Sequence, residues 1–141
     1  MICKIAEKFI KNGFKVCVVK HDPKDKAVFD NPNKDSSKFY STGADVIVTS
    51  PTRTTFFSRQ NSDLKELLNL AKNADIFIIE GLKNFELPRI SLFCDNFDKN
   101  YENFSDAIAT NGFKPDCKLP CFHRDDIEGI YKWILENAKK I

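Results

Sequence analysis

Strand-like and helix-like stretches alternate along the 141 residues, which predicts an α/β sandwich: a mostly parallel sheet flanked by helices, with one extra antiparallel strand pair. Two apolar runs, "FKVCVVKHD" at 14–22 and "ADIFIIEG" at 74–81, are continuous rather than alternating, as in strands of a parallel sheet. Amphipathic helical spacing recurs near the start, in the middle and at the end. A third signal is "DVIVTS" followed at once by "RTTFFSR", a connection so short that the two strands read as antiparallel. With 42% hydrophobic residues and 13 Phe, the chain has apolar mass for one core, and residues 1–141 read as one domain.

Ile2, Ile5, Phe9 and Ile10 share a helical face over 1–12, and Gly13 is its stop. No capping side chain stands before Ile2. The strand at 14–22 follows, then a polar, Pro-containing excursion over 22–35. "DSSKFYSTG" reads as a short helix with Asp35 as N-cap and Gly43 as stop. Asp63 and Glu66 have capping-box spacing for a helix at 63–73, with Leu64, Leu67, Leu68 and Ala71 on one face. Ile76–Ile79 reads as a central strand covered on both faces. "RISLFCD" and "DAIAT" are further strands. Asp125 and Glu128 are placed to cap a last helix whose Ile127, Ile130, Tyr131, Ile134 and Leu135 face the core.

The charge, 22 basic against 20 acidic residues, is too balanced for a nucleic-acid or anionic-membrane surface. The apolar runs are strand-length and no secretory signal opens the sequence, so a cytoplasmic protein with small-molecule or protein partners is expected. Five Cys make an odd count without a disulfide framework. Cys117, Cys121 and His123, with Cys94 as a fourth, could supply metal ligands; buried free thiols and a turn at Pro120 are the plainer reading.

In an open parallel sheet, ligands bind beyond the C-terminal ends of the strands. Lys20, His21 and Asp22 lie past one strand, and Glu80, Gly81 and Lys83 past another. Glu80 ending an apolar strand either meets a cation such as Mg²⁺ or faces solvent as a capping group. Gly81 permits close approach of a ligand or another backbone. None of the five glycines begins the phosphate-cradling loop G-x-x-x-x-G-K-[S/T].

The segments "VVKHDPKDKAVFDNPNKDSSKFYSTGADVIVTS" and "DIFIIEGLKNFELPRISLF", with "DIEGIYKWI" near the end, resemble in order and spacing the molybdopterin-guanine dinucleotide biosynthesis adapter family, MobB, of the P-loop NTPase class. Members begin with an apolar strand and a P-loop ending in Gly-Lys-Thr-Thr before their first helix. The sequence here begins just after that loop, so the first strand and P-loop are absent from it. The resemblance leaves two readings of that beginning, a start upstream of Met1, which the uncapped first helix favours, or a variant that has lost its nucleotide grip, and it implies a P-loop-NTPase-like fold, a homodimer, and GTP with Mg²⁺. It also implies an adapter that assists the guanylyltransferase joining GMP to molybdopterin, at most a weak GTPase. By position, Glu80 matches the acidic residue of the second nucleotide-site strand, while Lys20, His21, Asp35 and Ser36 match the Lys-His and Lys-Asp-Ser positions. In "ATNGFKPD", Asn111 and Asp116 echo a guanine-contact motif at different spacing, a polar turn on Gly112 and Pro115 being the alternative. Two other functions stay open: a dimeric partner protein that binds no nucleotide and associates through residues 46–58, and a small Cys/His metal protein.

Overall fold

The computed structural model describes residues 1–28 and 30–140; Phe29, within the excursion expected at 22–35, lies outside the described residues. In chain order the elements are α1 (Ile2–Lys11), β1 (Val16–Lys20), α2 (Asp35–Ser41), β2 (Val46–Ser50), β3 (Arg53–Phe57), α3 (Leu64–Leu70), β4 (Ile76–Glu80), β5 (Ile90–Phe93), a 3-10 turn (Lys99–Phe104), β6 (Ala107–Thr110), β7 (Cys121–His123) and α4 (Ile127–Asn137). The chain forms two compact units, one from Met1–Lys20 with the chain from Asn73 on, the other from His21–Lys72.

In the first unit, β1 and β4 pair in parallel, and β5, β6 and β7 form a parallel three-stranded sheet in that order. Ile5 and Phe9 of α1 and Ile130 of α4 are buried together, with Val16, Ile76, Ile78, Ile90 and Phe122 packed against them. Phe9 meets Phe14 edge-on at 5.5 Å and Tyr131 at 4.6 Å. Burying side chains of this size contributes about 1.5–3 kcal/mol each, the main term holding the unit. At the helix surfaces, Lys4 pairs with Asp125 and Lys8 with Glu128, both at 2.7 Å. Beyond α1, Gly13 adopts φ +87°, a left-handed stop open to glycine at little cost.

The second unit is held locally. Asp22 accepts from the N–H groups of Lys24, Lys26 and Ala27, wrapping the start of the excursion around one carboxylate. In the β2–β3 hairpin Val46 lies opposite Phe57 and Ile47 opposite Phe56. Paired residues share a face, and neighbours alternate. On one face Val46 is buried and Phe57 meets Tyr40 of α2; on the other, Ile47 and Phe56 are exposed. The Asp63–Glu66 capping box forms as expected.

Four expectations change. The strand at Ile76–Ile79 is not central: among the described residues β4 pairs only with β1 and its apolar side chains are half-buried. The buried central strand is β6, where Ala107, Ile108, Ala109 and Thr110 are all enclosed. Asp126, not Asp125, caps α4 by accepting from the Gly129 N–H at 2.9 Å, because the Asp125 carboxylate is drawn to Lys4. Lys34 holds the N-cap position of α2, and Asp35, one residue on, pairs with Lys38 at 3.0 Å. Finally, the segment after Pro120 is a strand rather than only a turn. The Ile108 N–H donates to the Pro120 carbonyl and the Arg124 N–H to the Thr110 carbonyl, fixing β7 at both ends.

Candidate functional site

Because β1 and β4 run parallel and in step, their last residues, Lys20 and Glu80, stand side by side. Lys20 Nζ donates to Glu80 Oε1 at 2.8 Å, with the side chains 66% and 47% exposed. An exposed pair of this kind is worth at most about 1 kcal/mol, so a second cation or an anion can separate it at little cost. The chain then turns away through Gly81 at φ +90° and Leu82 at φ +48°. Glycine is the residue that takes such a backbone freely, and it leaves the tip of Glu80 without a neighbouring Cβ. Lys83 is engaged elsewhere, donating to the Tyr101 hydroxyl at 2.8 Å and lying 4.7 Å from the ring centre.

His21, Asp35 and Ser36 belong to the second unit. His21 is exposed; Asp35 is held by Lys38, and Ser36 is half-buried in the first turn of α2. At the tip of β6, Asn111 is exposed and Asp116 is 99% exposed, 3.7 Å from Lys99. The loop between them is set by Thr110, whose hydroxyl donates to the Phe113 carbonyl at 2.7 Å and accepts from the Gly112 N–H at 3.4 Å. Thr110 was not singled out in the sequence, although a lone hydroxyl ending the apolar "AIA" was the available signal.

The thiols are not the buried groups expected, since Cys3, Cys94 and Cys121 are exposed and Cys17 and Cys117 half-buried, and they do not assemble a metal centre. Among the described residues no group of three His, Cys, Asp or Glu side chains could hold an ion. Burial, and then the neighbouring Cys117, push the Cys121 thiol up, against opposing effects of Thr110 and Lys114. That favours the thiol form over the thiolate a soft metal requires. Glu80 is a single carboxylate, which suits Mg²⁺, an ion commonly held by one or two carboxylates together with water and ligand phosphates. For a nucleotide the fit is partial: a cation, a carboxylate and an open turn are present, while the motif G-x-x-x-x-G-K-[S/T] does not occur in the 141 residues.

The family model for molybdopterin guanine dinucleotide synthesis protein B matches residues 1–114. The chain belongs to the MobB family. Its fold is similar to the crystal structure of a molybdopterin-guanine biosynthesis protein B (mobB), with a TM-score of 0.77, 25% identity, and coverage of 96% of this chain and 88% of the other. It is also similar in fold to MobB of Bacillus subtilis, with a TM-score of 0.73, 21% identity, and coverage of 99% and 89%. A MobB homolog from Bacillus stearothermophilus gives a TM-score of 0.68 at 15% identity, with 96% and 85% covered. No curated protein sequence matches the chain. MobB membership gives the chain a role in molybdenum cofactor biosynthesis and a P-loop-like α/β fold. No helix among the described residues is long and apolar enough to cross a membrane.

Proposed function

We propose that the chain is a cytoplasmic, homodimeric adapter of the GTP-binding type, which assists the guanylyltransferase of molybdopterin guanine dinucleotide synthesis and is at most a weak GTPase, not the transferase. The observation that supports this best is the Lys20–Glu80 pair at 2.8 Å on two parallel strand tips, followed by Gly81. In this reading Glu80 holds Mg²⁺, which would neutralise phosphate charge. Lys20, released from Glu80, faces a phosphate, and Gly81 lets the ligand approach the backbone. The family resemblance assigns polar roles near the nucleotide to His21, Asp35 and Ser36, while in the first unit Asn111 and Asp116 meet the base edge, where a carboxylate accepts from the N–H donors of guanine.

The test compares the 141-residue chain with a form extended before Met1 by a strand and a Gly-x-x-x-x-Gly-Lys-Thr loop. Calorimetry should show GTP binding at least about a hundredfold tighter in the extended form, because the loop adds several charge-assisted hydrogen bonds of roughly 1.5–3 kcal/mol each. In that form Glu80→Gln should weaken Mg²⁺-dependent GTP binding with the circular dichroism spectrum unchanged. Equal GTP affinities, or a Glu80→Gln protein with the parent's magnesium dependence, would sink the reading. The uncovered Ile47–Phe56 face supports a second one, a dimeric partner that binds no nucleotide. It predicts no GTP titration heat in either form.

A further inference from the structure

We infer that the cleft where β5 and β6 begin is a docking site for an acidic peptide segment of a partner protein, one that carries an apolar side chain beside its carboxylate. The cleft has a volume of about 760 Å³ and is walled by residues 83–89, by 103–106, and by Asn137 and Lys139 at the end of α4. All of these lie in the first unit.

Its wall carries an incompletely used cation. Arg89 donates to three backbone carbonyls, those of Phe104 at 3.0 Å, Lys83 at 2.7 Å and Phe85 at 3.4 Å. A guanidinium has five N–H donors, so two are left over. The three acceptors are neutral, and among the described residues no carboxylate is in ion-pair range of Arg89. The guanidinium is therefore fixed in place with donors to spare and no ion pair among the described residues, an arrangement that can take a planar carboxylate. Lys139 is exposed in the same wall and has no ion pair among the described residues. Of the two acids nearby, Asp106 is occupied in accepting from Arg89's own backbone N–H at 2.8 Å. Glu86 is exposed.

The remaining lining selects the kind of anion. Phe104, a large aromatic, is 65% exposed, and Phe85 and Leu87 are half-buried in the same lining. An apolar anchor on the ligand has somewhere to go. Asn84 and Asn103 offer both donors and acceptors, as a peptide main chain requires. Glu86 and Asp106 repel a polyanion, so a nucleic acid is disfavoured while a segment bearing one or two carboxylates is not. The site is independent of Lys20 and Glu80, and it stands whether or not the chain binds GTP.

The experiment uses the 141-residue chain, a fluorescein-labelled hexapeptide of sequence Gly-Asp-Phe-Glu-Leu-Gly, and the same peptide with Lys in place of both acids. Anisotropy should show the acidic peptide binding at least about tenfold tighter than the basic one, and amide shifts in nuclear magnetic resonance should cluster in 83–89 and 103–106. Phe104→Ser and Lys139→Glu, which leave the Arg89 carbonyl contacts in place, should each weaken binding at least about fivefold with circular dichroism unchanged. Lys20→Met should leave it unaltered. Absence of binding at about millimolar peptide, equal binding of the two peptides, shifts outside the cleft, or full affinity in both variants would overturn the proposal. So would inorganic phosphate producing the same shifts and displacing the peptide, which would make the cleft a simple anion site.

Discussion

The first compact unit is richer in apolar residues than the second, and the two hold themselves together differently. In the unit of residues 1–20 and 73 on, two helices close over a shared cluster, Ile5, Phe9 and Ile130, and a whole strand, β6, is enclosed. In the unit of residues 21–72, Val46 is the one buried apolar side chain among the described residues, while Val28, Phe39, Ile47, Phe56 and Leu70 are exposed. Its order comes from Asp22, the Asp63–Glu66 box and the Ser50 hydroxyl, which bonds both the N–H and the carbonyl of Arg53. The first unit keeps a closed apolar cluster although Ile10, Val18, Leu92, Phe104 and Leu135 are exposed, while the second presents one face of its hairpin, as a two-stranded hairpin does when that face awaits a cover.

The contrast is broken most severely at Phe9. Phe9→Ala should cost about 3–5 kcal/mol, read from urea unfolding followed by circular dichroism, since it removes the ring that both Phe14 and Tyr131 pack against. A loss below about 1 kcal/mol would show that the first unit does not depend on this cluster.

The hairpin supplies the converse. Phe56 lies on the open face, so Phe56→Asp should leave the circular dichroism spectrum intact and shift the protein toward monomer, because an unpaired charge would be buried in the contact. Sedimentation across a concentration series reads this directly. A parent already monomeric at roughly tens of micromolar, or a folded variant that stays dimeric, means that the open face is not the self-contact.

The smallest effect sharpens the first half of the comparison. Hydrogen bonding to Lys4 holds the Asp125 carboxyl below the usual range, and Lys8 does the same for Glu128. A carboxyl depressed by folding stabilises the native state above its unfolded value and loses that contribution as pH falls through the folded one. The urea midpoint should therefore decline below about pH 4. In Lys4→Met/Lys8→Met the decline should be shallower. An identical pH profile would mean that these exposed pairs contribute nothing measurable, as many do.

Much of this was legible in the sequence where a signal is short-range. The Asp63–Glu66 box and the Ser50–Arg53 connection are decided within four residues, and both form. The α4 cap slipped because Asp125 and Asp126 are equally able caps, and the choice was made by Lys4, 121 residues away. The apolar run at 76–79 announced a strand correctly and its coverage wrongly, since a hydrophobic run cannot count the strands beside it. Lys20 and Glu80 were legible as strand tips. Their meeting was not, because register across a parallel pair is set by tertiary packing. Arg89 passed unnoticed: an arginine before a strand is ordinary until three carbonyls are seen to converge on it.

The register of β1 on β4 also dictates an order of events. Lys20 and Glu80 are 60 positions apart, with the whole second unit between them. Closing a flexible chain of that length costs on the order of 3–4 kcal/mol, and nothing is gained until the strands touch. Each part of residues 21–72 that folds first on its own short-range bonds removes slack from that loop. The segment with the poorest core thus acts as the buckle through which the better-packed unit is drawn shut, and its local turns matter to the rate of assembly more than to the final stability.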